Sequence, residues 1–194
     1  MPKESGRREQ KRQETFERIT ELGMKLFVAR GYEGTTLDDI AKAAGISRRT
    51  FFYYFKSKED ILLARQGMGF PAALYGAMLK ESPDQAPLDA VRHCVLKLAP
   101  SFETKEHIVV DGLLRSTEAL RVCKEAVYLK MENDLFKAMS ELWPKLELRS
   151  TLRMVAMAAM GVMRLSLEEW RQEGGKRPMT KYLKENFAAL KAGI

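Results

Sequence analysis

The chain is poor in cysteine, proline, histidine and tryptophan, and each shortage excludes something. Two cysteines in 194 residues exclude a disulfide-dense scaffold. Cys94 and Cys123 have no metal-type spacing and read as free thiols of a reducing cytoplasm. Seven prolines exclude a collagen-like fibre. Only two histidines, His93 and His107, are present. No apolar run approaches the ~18 residues that a membrane span needs. The first fifteen residues are basic and polar with no apolar stretch behind them, unlike a secretory signal. Sustained period-two alternation and Asn-Gly or Asp-Gly hairpin turns are missing, so strands are not expected.

Motifs that carry catalysis are missing too. There is no Gly-x-Ser-x-Gly, no His-Glu-x-x-His and no phosphate-binding glycine loop. Glu103, His107 and Asp111 fall at i, i+4 and i+8 of one helix face. Such a row can form a metal corner or half of a charge-relay set, but a solvated ion-pair ladder is the commoner use. An enzyme, a metal site and a cofactor are therefore not expected.

What is there is 45% hydrophobic and 30% charged, too apolar for a disordered chain and long enough to bury a core. The 33 Lys and Arg against 26 Asp and Glu give +7, which permits an anionic partner without naming one. The surplus is uneven. Residues 1–65 hold 14 basic and 10 acidic side chains, and residues 66–194 hold 19 and 16. Lys3, Arg7, Arg8, Lys11 and Arg12 crowd the start, and residues 1–13 read as a flexible basic arm.

Helical periodicity covers the rest. Phe16, Ile19, Leu22, Leu26 and Ala29 mark one face of a first helix over 15–30, closed by Gly31. Thr36 with Asp39 is a capping box that opens a short second helix, closed by Gly45. Ser47 caps a third helix, whose aromatics are Phe51, Phe52, Tyr53, Tyr54 and Phe55. Ser57 can cap a fourth. Gly67-Met68-Gly69-Phe70-Pro71 breaks it or ends it. Further helices follow Pro87 (stopped or kinked at Pro100) and over 103–114, 118–143, 150–170 and 178–192, about nine in all.

The order long, short, short, with Gly45-Ile46-Ser47 between the short pair, is the helix-turn-helix pattern. If Phe51 and Phe55 are the buried i,i+4 pair, the opposite face carries Arg48, Arg49, Phe52 and Tyr53. Arginines there suit guanine edges or phosphates, and Phe52 suits a thymine methyl. Hydroxyls of Thr50, Tyr53 and Tyr54 can reach phosphates, helped by Thr35, Thr36 and Lys58 beside helix N-termini. Ser47 lies at the same edge. Taken singly, five aromatics in a row are more often core, and a pair of arginines is more often solvated surface. The combination of caps, spacing and faces is what points to DNA.

The run LFVARGYEGTTLDDIAKAAGISRRTFFYYFKSKEDIL, Leu26 to Leu62, resembles the DNA-binding domain of TetR-type bacterial transcriptional regulators, with residues 15–62 covered. The resemblance implies an all-α homodimer. Residues 14–60 would form a three-helix DNA-binding domain, and residues 61–194 a helical ligand-binding and dimerisation body. It also implies a cytoplasmic regulator of a double-stranded DNA operator, usually a repressor released by a small-molecule effector. Activation, or a non-catalytic interaction role without salt-dependent DNA affinity, are the alternatives. Carried over, the base-reading positions fall on Arg48, Arg49 and Phe52. The phosphate-contacting positions fall on Thr36, Thr50, Tyr53, Tyr54 and Lys58. Arg49 and Phe52 depart from the glycine and tyrosine of many members. The form of Ser47 to Phe55, and the segment Leu113 to Arg121, resemble a subgroup containing regulators linked to mycofactocin clusters. Some members of that subgroup bind fatty acyl-CoA, so the resemblance implies a fatty acyl-CoA or another large apolar effector.

In the body, eleven methionines suit an adaptable apolar pocket or an ordinary core. Met131, Leu135, Met139, Leu142, Trp143, Met154, Met157 and Met160 are the candidate lining, with Arg92, Arg115 and Arg121 for an acidic head group. Ala156, Ala159, Met160, Met163 and Leu167, with Tyr182, Leu183, Phe187 and Leu190, form faces suited to a two-fold four-helix bundle or to a monomer core. The dimer expectation rests on the resemblance and on the ~34 Å spacing of two reading heads.

Overall fold

The computed structural model describes residues 3–67 and 69–193. Regular structure among them is entirely helical. The elements are α1 (Lys3–Arg30), α2 (Leu37–Ala43), α3 (Arg48–Tyr54), α4 (Lys58–Gly67), α5 (Phe70–Met78), α6 (Pro87–Phe102), α7 (Lys105–Leu113), α8 (Glu118–Leu142), α9 (Arg149–Gln172) and α10 (Met179–Gly193). A 3-10 turn, Leu146–Leu148, leads into α9.

Three boundaries differ from expectation, each for a local reason. First, α1 starts at Lys3, so the arm expected to be flexible is helical. Lys, Arg, Glu and Gln are strong helix formers. Side-chain bonds from Gln10 to Glu14 (3.1 Å) and Gln13 to Glu17 (2.7 Å) brace the stretch at i,i+4. Second, Pro71 sits in the first turn of α5, where its missing N–H is not needed. Phe70-Pro71 thus opens a tenth helix. Met68 of the expected break lies outside the described residues. Third, α6 runs past Pro100 to Phe102, because a proline in the last turn removes only one backbone bond.

The chain divides into two compact units, Met1–Gly67 with Val109–Lys124, and Met68–Ile108 with Glu125–Ile194. The first therefore reaches beyond residue 60. Ile61 and Leu62 of α4 are fully buried in it, as are Leu114 and Leu120. Around them pack Ile19, Met24 and Phe27 of α1, Ile40 and Ala41 of α2, and Phe51 and Phe55. Leu22, Leu26 and Ile46 pack against that core half-buried, whereas Ala29 is exposed.

The second unit has its own core. Leu74 and Met78 of α5, Val91 and Val95 of α6, Leu135 and Met139 of α8, Trp143 just after it, Leu152, Ala156 and Ala159 of α9, and Leu183 and Phe187 of α10 are buried together. This corrects part of the expected dimer face. Ala156, Ala159, Leu183 and Phe187 are engaged inside one chain, because the small α9 residues let α10 approach closely. Met163, Leu167 and Leu190 are half-buried. The outward stripe of α9 is instead Met154, Met157, Gly161 and Leu165. No helix among the described residues is long and apolar enough to cross a membrane.

Candidate nucleic-acid interface

Local bonds build the helix pair from its ends. Thr36 Oγ1 accepts the Asp39 N–H at 3.1 Å, and Asp39 Oδ2 accepts the Thr36 N–H at 2.9 Å, a complete capping box. The Thr36 hydroxyl also donates to Asp39 Oδ2 at 2.5 Å. These bonds from the Thr36 side chain and backbone hold the Asp39 carboxyl below the usual range. Gly31 and Gly45 take φ of 78° and 65°, a region that side chains disfavour. In the turn after α2, the Gly45 and Ile46 N–H groups donate to Lys42 O and Ala41 O at 3.1 and 3.0 Å. Ser47 Oγ accepts the Thr50 N–H at 3.1 Å, and the two hydroxyls lie 2.9 Å apart.

The seven residues of α3 have one inside and one outside. Phe51 and Phe55 are buried, and Phe55 stacks on Phe16 of α1 with centroids 4.8 Å apart. Arg48, Arg49, Phe52 and Tyr53 point out, Phe52 being 44% and Tyr53 70% exposed. Phe52 stands edge-on to Phe51 at 5.8 Å. The Arg48 guanidinium lies 5.7 Å over the Phe52 ring, and its Nη1 meets Asp38 Oδ2 at 3.4 Å. No ion pair among the described residues engages Arg49. Tyr54 is half-buried, with its ring against Tyr53 at 5.1 Å.

Two expected contact residues are placed otherwise. Thr35 is fully buried, and its hydroxyl donates to Gly31 O at 2.8 Å. It locks the turn after α1 and has no outward side chain. Lys58 donates from Nζ to Tyr32 O at 2.8 Å and lies 4.2 Å over the Tyr32 ring. Tyr32 in turn donates to Glu59. The ammonium is thus tied back to the loop and only half-buried. Thr36 is exposed, but its one hydroxyl proton is already given to Asp39. Asp38, the partner of Arg48, reads in the sequence as an ordinary acidic residue in a first helical turn.

The expected effector residues divide between the two units and, in the second, between core and surface. Met131, Leu135, Met139, Trp143 and Met160 are buried. Met157, 53% exposed, and Met154 point outward on α9. Arg92 is half-buried in the second unit. Arg115 belongs to the first, bonded to Asp111 at 3.2 Å. Asp111 also meets Lys124 at 2.5 Å, and Glu103 accepts the Met179 N–H at 3.0 Å. Glu103 caps the end of α6 and so lies before α7, the helix that carries Asp111. The His107 side chain lies outside what is described. Among the described residues no three His, Cys, Asp or Glu side chains are grouped to hold a metal.

Residues 19–64 match the family model of bacterial regulatory proteins, tetR family. The transcriptional regulator TcmR of Streptomyces glaucescens is 37% identical over 94 residues, 47% of this chain and 42% of that protein. A Mycobacterium tuberculosis protein, MftR, named for regulation of mycofactocin biosynthesis, is 48% identical over 63 residues, 31% of this chain and 30% of its own. The chain thus spans less than half the length of these curated relatives. Among solved structures, Thermus thermophilus FadR, a transcriptional repressor in complex with lauroyl-CoA, superposes with a TM-score of 0.64 at 26% identity. That match covers 92% of this chain and 94% of the other. The helix-turn-helix unit in residues 19–64 is thus similar to that of the tetR family of bacterial regulatory proteins.

Proposed function

We propose that the protein is a ligand-responsive transcriptional regulator of the cytoplasm. As a homodimer it represses by holding a double-stranded DNA operator through α3, and it leaves the operator when a small-molecule effector binds the second unit. The observation that carries this reading is the outward face of α3. A helix anchored by buried Phe51 and capped by Ser47 turns two arginines and two large aromatics toward solvent. A purely structural helix gains nothing from exposing Phe52 and Tyr53 side by side.

The residues divide by chemistry. Arg48 and Arg49 supply guanidinium forks for guanine edges, and Phe52 supplies apolar contact to a thymine methyl. Ser47 and Thr50 share one hydrogen bond between two hydroxyls, so one proton stays available for a phosphate oxygen. Tyr53 and Tyr54 reach phosphates from the other end of α3. Lys58 adds charge from its anchored position. These phosphate contacts set register, and the base contacts set sequence.

Two-fold assembly has a face to use. Met154, Met157, Gly161 and Leu165 give α9 an outward apolar stripe with a glycine that permits close helix approach. For the effector we favour a fatty acyl-CoA. The 26%-identical Thermus repressor holds lauroyl-CoA, and a body of this size with buried methionines suits an acyl chain. Such an effector acts only by binding the DNA-free arrangement more tightly than the DNA-bound one.

The test is selection from a randomised duplex library, followed by titration of the selected duplex against lauroyl-CoA at several salt concentrations. A two-fold-symmetric enriched sequence is expected, with affinity that falls steeply as salt rises and is weakened by lauroyl-CoA. Failure to enrich any sequence defeats the DNA reading. Enrichment without an acyl-CoA effect defeats only the effector.

A further inference from the structure

We infer that Asp38 is a specificity-determining positioning residue: it steers Arg48 toward a base and penalises its use on a phosphate. The inference rests on the DNA-binding reading above. Asp38 lies on the outward side of α2, its side chain 64% exposed, and its Oδ2 meets Arg48 Nη1 at 3.4 Å. It is not the helix cap, since Thr36 and Asp39 complete that box without it. It is not in the core either.

Arg48 is held from two sides. Asp38 takes one edge of the guanidinium, whose central carbon lies 5.7 Å over the centre of the Phe52 ring. Phe52 is fixed in turn by its edge-on contact with Phe51, which has no exposed surface. The buried core therefore sets Phe52, and Phe52 with Asp38 sets Arg48. A guanidinium has five N–H donors. One directed at Asp38 leaves enough for a bidentate contact to guanine O6 and N7. In water this exposed pair is screened and adds little to stability. Its effect appears on DNA.

Two ways of using Arg48 then differ in what happens to Asp38. When Arg48 reads a guanine from its held position, the carboxylate keeps its counter-charge. When Arg48 swings to a phosphate, Asp38 is left bare beside the phosphate backbone and is repelled. The carboxylate thus lowers non-specific affinity more than specific affinity, which is discrimination by disfavouring the wrong mode. Without Asp38, both modes are open to Arg48.

The experiment is library selection with the wild type, Asp38→Ala, Asp38→Asn, Arg48→Ala and the Asp38→Ala/Arg48→Ala double variant. Titration of the wild-type sequence and of random duplex follows. Asp38→Ala is expected to bind random duplex more tightly and to lose the guanine preference at one position of each half-site. Its ratio of specific to non-specific affinity should fall by about tenfold, the scale of one well-formed base contact. Asp38→Asn keeps the acceptor oxygen without the charge, so it should retain the base preference while its random-duplex affinity rises. In the Arg48→Ala background Asp38→Ala should no longer change base preference, because the two act as a unit. An unchanged preference and ratio in Asp38→Ala overturns the inference while leaving the DNA reading intact. So does an Asp38 effect on base preference that survives in the Arg48→Ala background. A wild type that enriches no sequence overturns both. Thermal unfolding of each variant separates a folding defect from these outcomes, and Asp38→Asn still decides if Asp38→Ala fails to fold.

Discussion

Replacing Thr36 by alanine tests whether the entry to the helix pair is held by its cap. Helix α2 has only seven residues, far below the ~12–15 at which an isolated helix becomes even marginal in water. It persists because its ends are closed and its inner face is buried. The Thr36 hydroxyl makes two of the three bonds at the cap, accepting from Asp39 N–H at 3.1 Å and donating to Asp39 Oδ2 at 2.5 Å, while the bond from Thr36 N–H to Asp39 Oδ2 at 2.9 Å does not need it. Losing a threonine cap costs about 1 kcal/mol and at most about 2. For a chain of this size unfolding as one unit, each kcal/mol lowers Tm by about 2–4 °C. The pH dependence has a definite sign. Bonds from Thr36 hold the folded Asp39 carboxyl below its usual range. A depressed carboxyl adds stability above its unfolded value, and that part is lost as pH falls through the lower folded value. The gap between wild type and Thr36→Ala should therefore be full at neutral pH and shrink below about pH 4. Thr36→Ser keeps the hydroxyl and should track the wild type. The assays are melting curves at pH 7 and in the acid range, and a carbon-detected titration of the Asp39 carboxyl. A Thr36→Ala melt that coincides with the wild type at pH 7 would refute this role of the cap, and so would an Asp39 titration that does not move upward in the variant.

Other expectations follow from burial. Phe51→Ala should cost about 3–5 kcal/mol as a fully buried aromatic is removed, whereas Phe52→Ala should change melting by roughly 0.5 kcal/mol or less and weaken DNA binding. Thermal unfolding beside a DNA titration separates the two. Met157→Glu should convert dimer to monomer in native mass spectrometry with unchanged circular dichroism, and Leu183→Glu should instead disrupt folding. Burial, and then the hydrogen bond to Glu81, push the Cys94 thiol up to about 12. Cys94 should therefore resist iodoacetamide at neutral pH until the chain unfolds, which peptide mass mapping reports.

Much of the first unit was legible because its signals are local. The Thr36 and Ser47 caps, and the glycines at 31 and 45, each act within a few residues and set boundaries directly. The N-terminal start was less legible. Residues 3–14 have no apolar period, yet helix-forming side chains with i,i+4 bonds need none. The apolar stripe of α1 is legible in part. Ile19 is buried and Phe16, Leu22 and Leu26 pack half-buried, but Met24 and Phe27 join the buried line and Ala29 is exposed, because α4 and residues 109–124 also claim that helix. Those segments lie far away in sequence, so no window over α1 can register them.

The same limit separates what was readable at the candidate interface from what was not. One buried pair, Phe51 and Phe55, decides the orientation of a seven-residue helix, and so Arg48, Arg49, Phe52 and Tyr53 had to face outward. In α9 there is no such constraint. Both Ala156 with Ala159 and Met154 with Met157 lie on faces of suitable period, and only packing against α10 decides that the alanines go inside. Partners are harder still than faces. Lys58 looks like a free cation until the fold brings it to the carbonyl of Tyr32, 26 positions earlier. Asp38 looks like a helix-dipole residue until the turn at Gly45 brings Arg48 back across it. Periodicity shows which side chains leave the core. It does not show which of them meet once outside, and at a reading helix that second question sets the specificity.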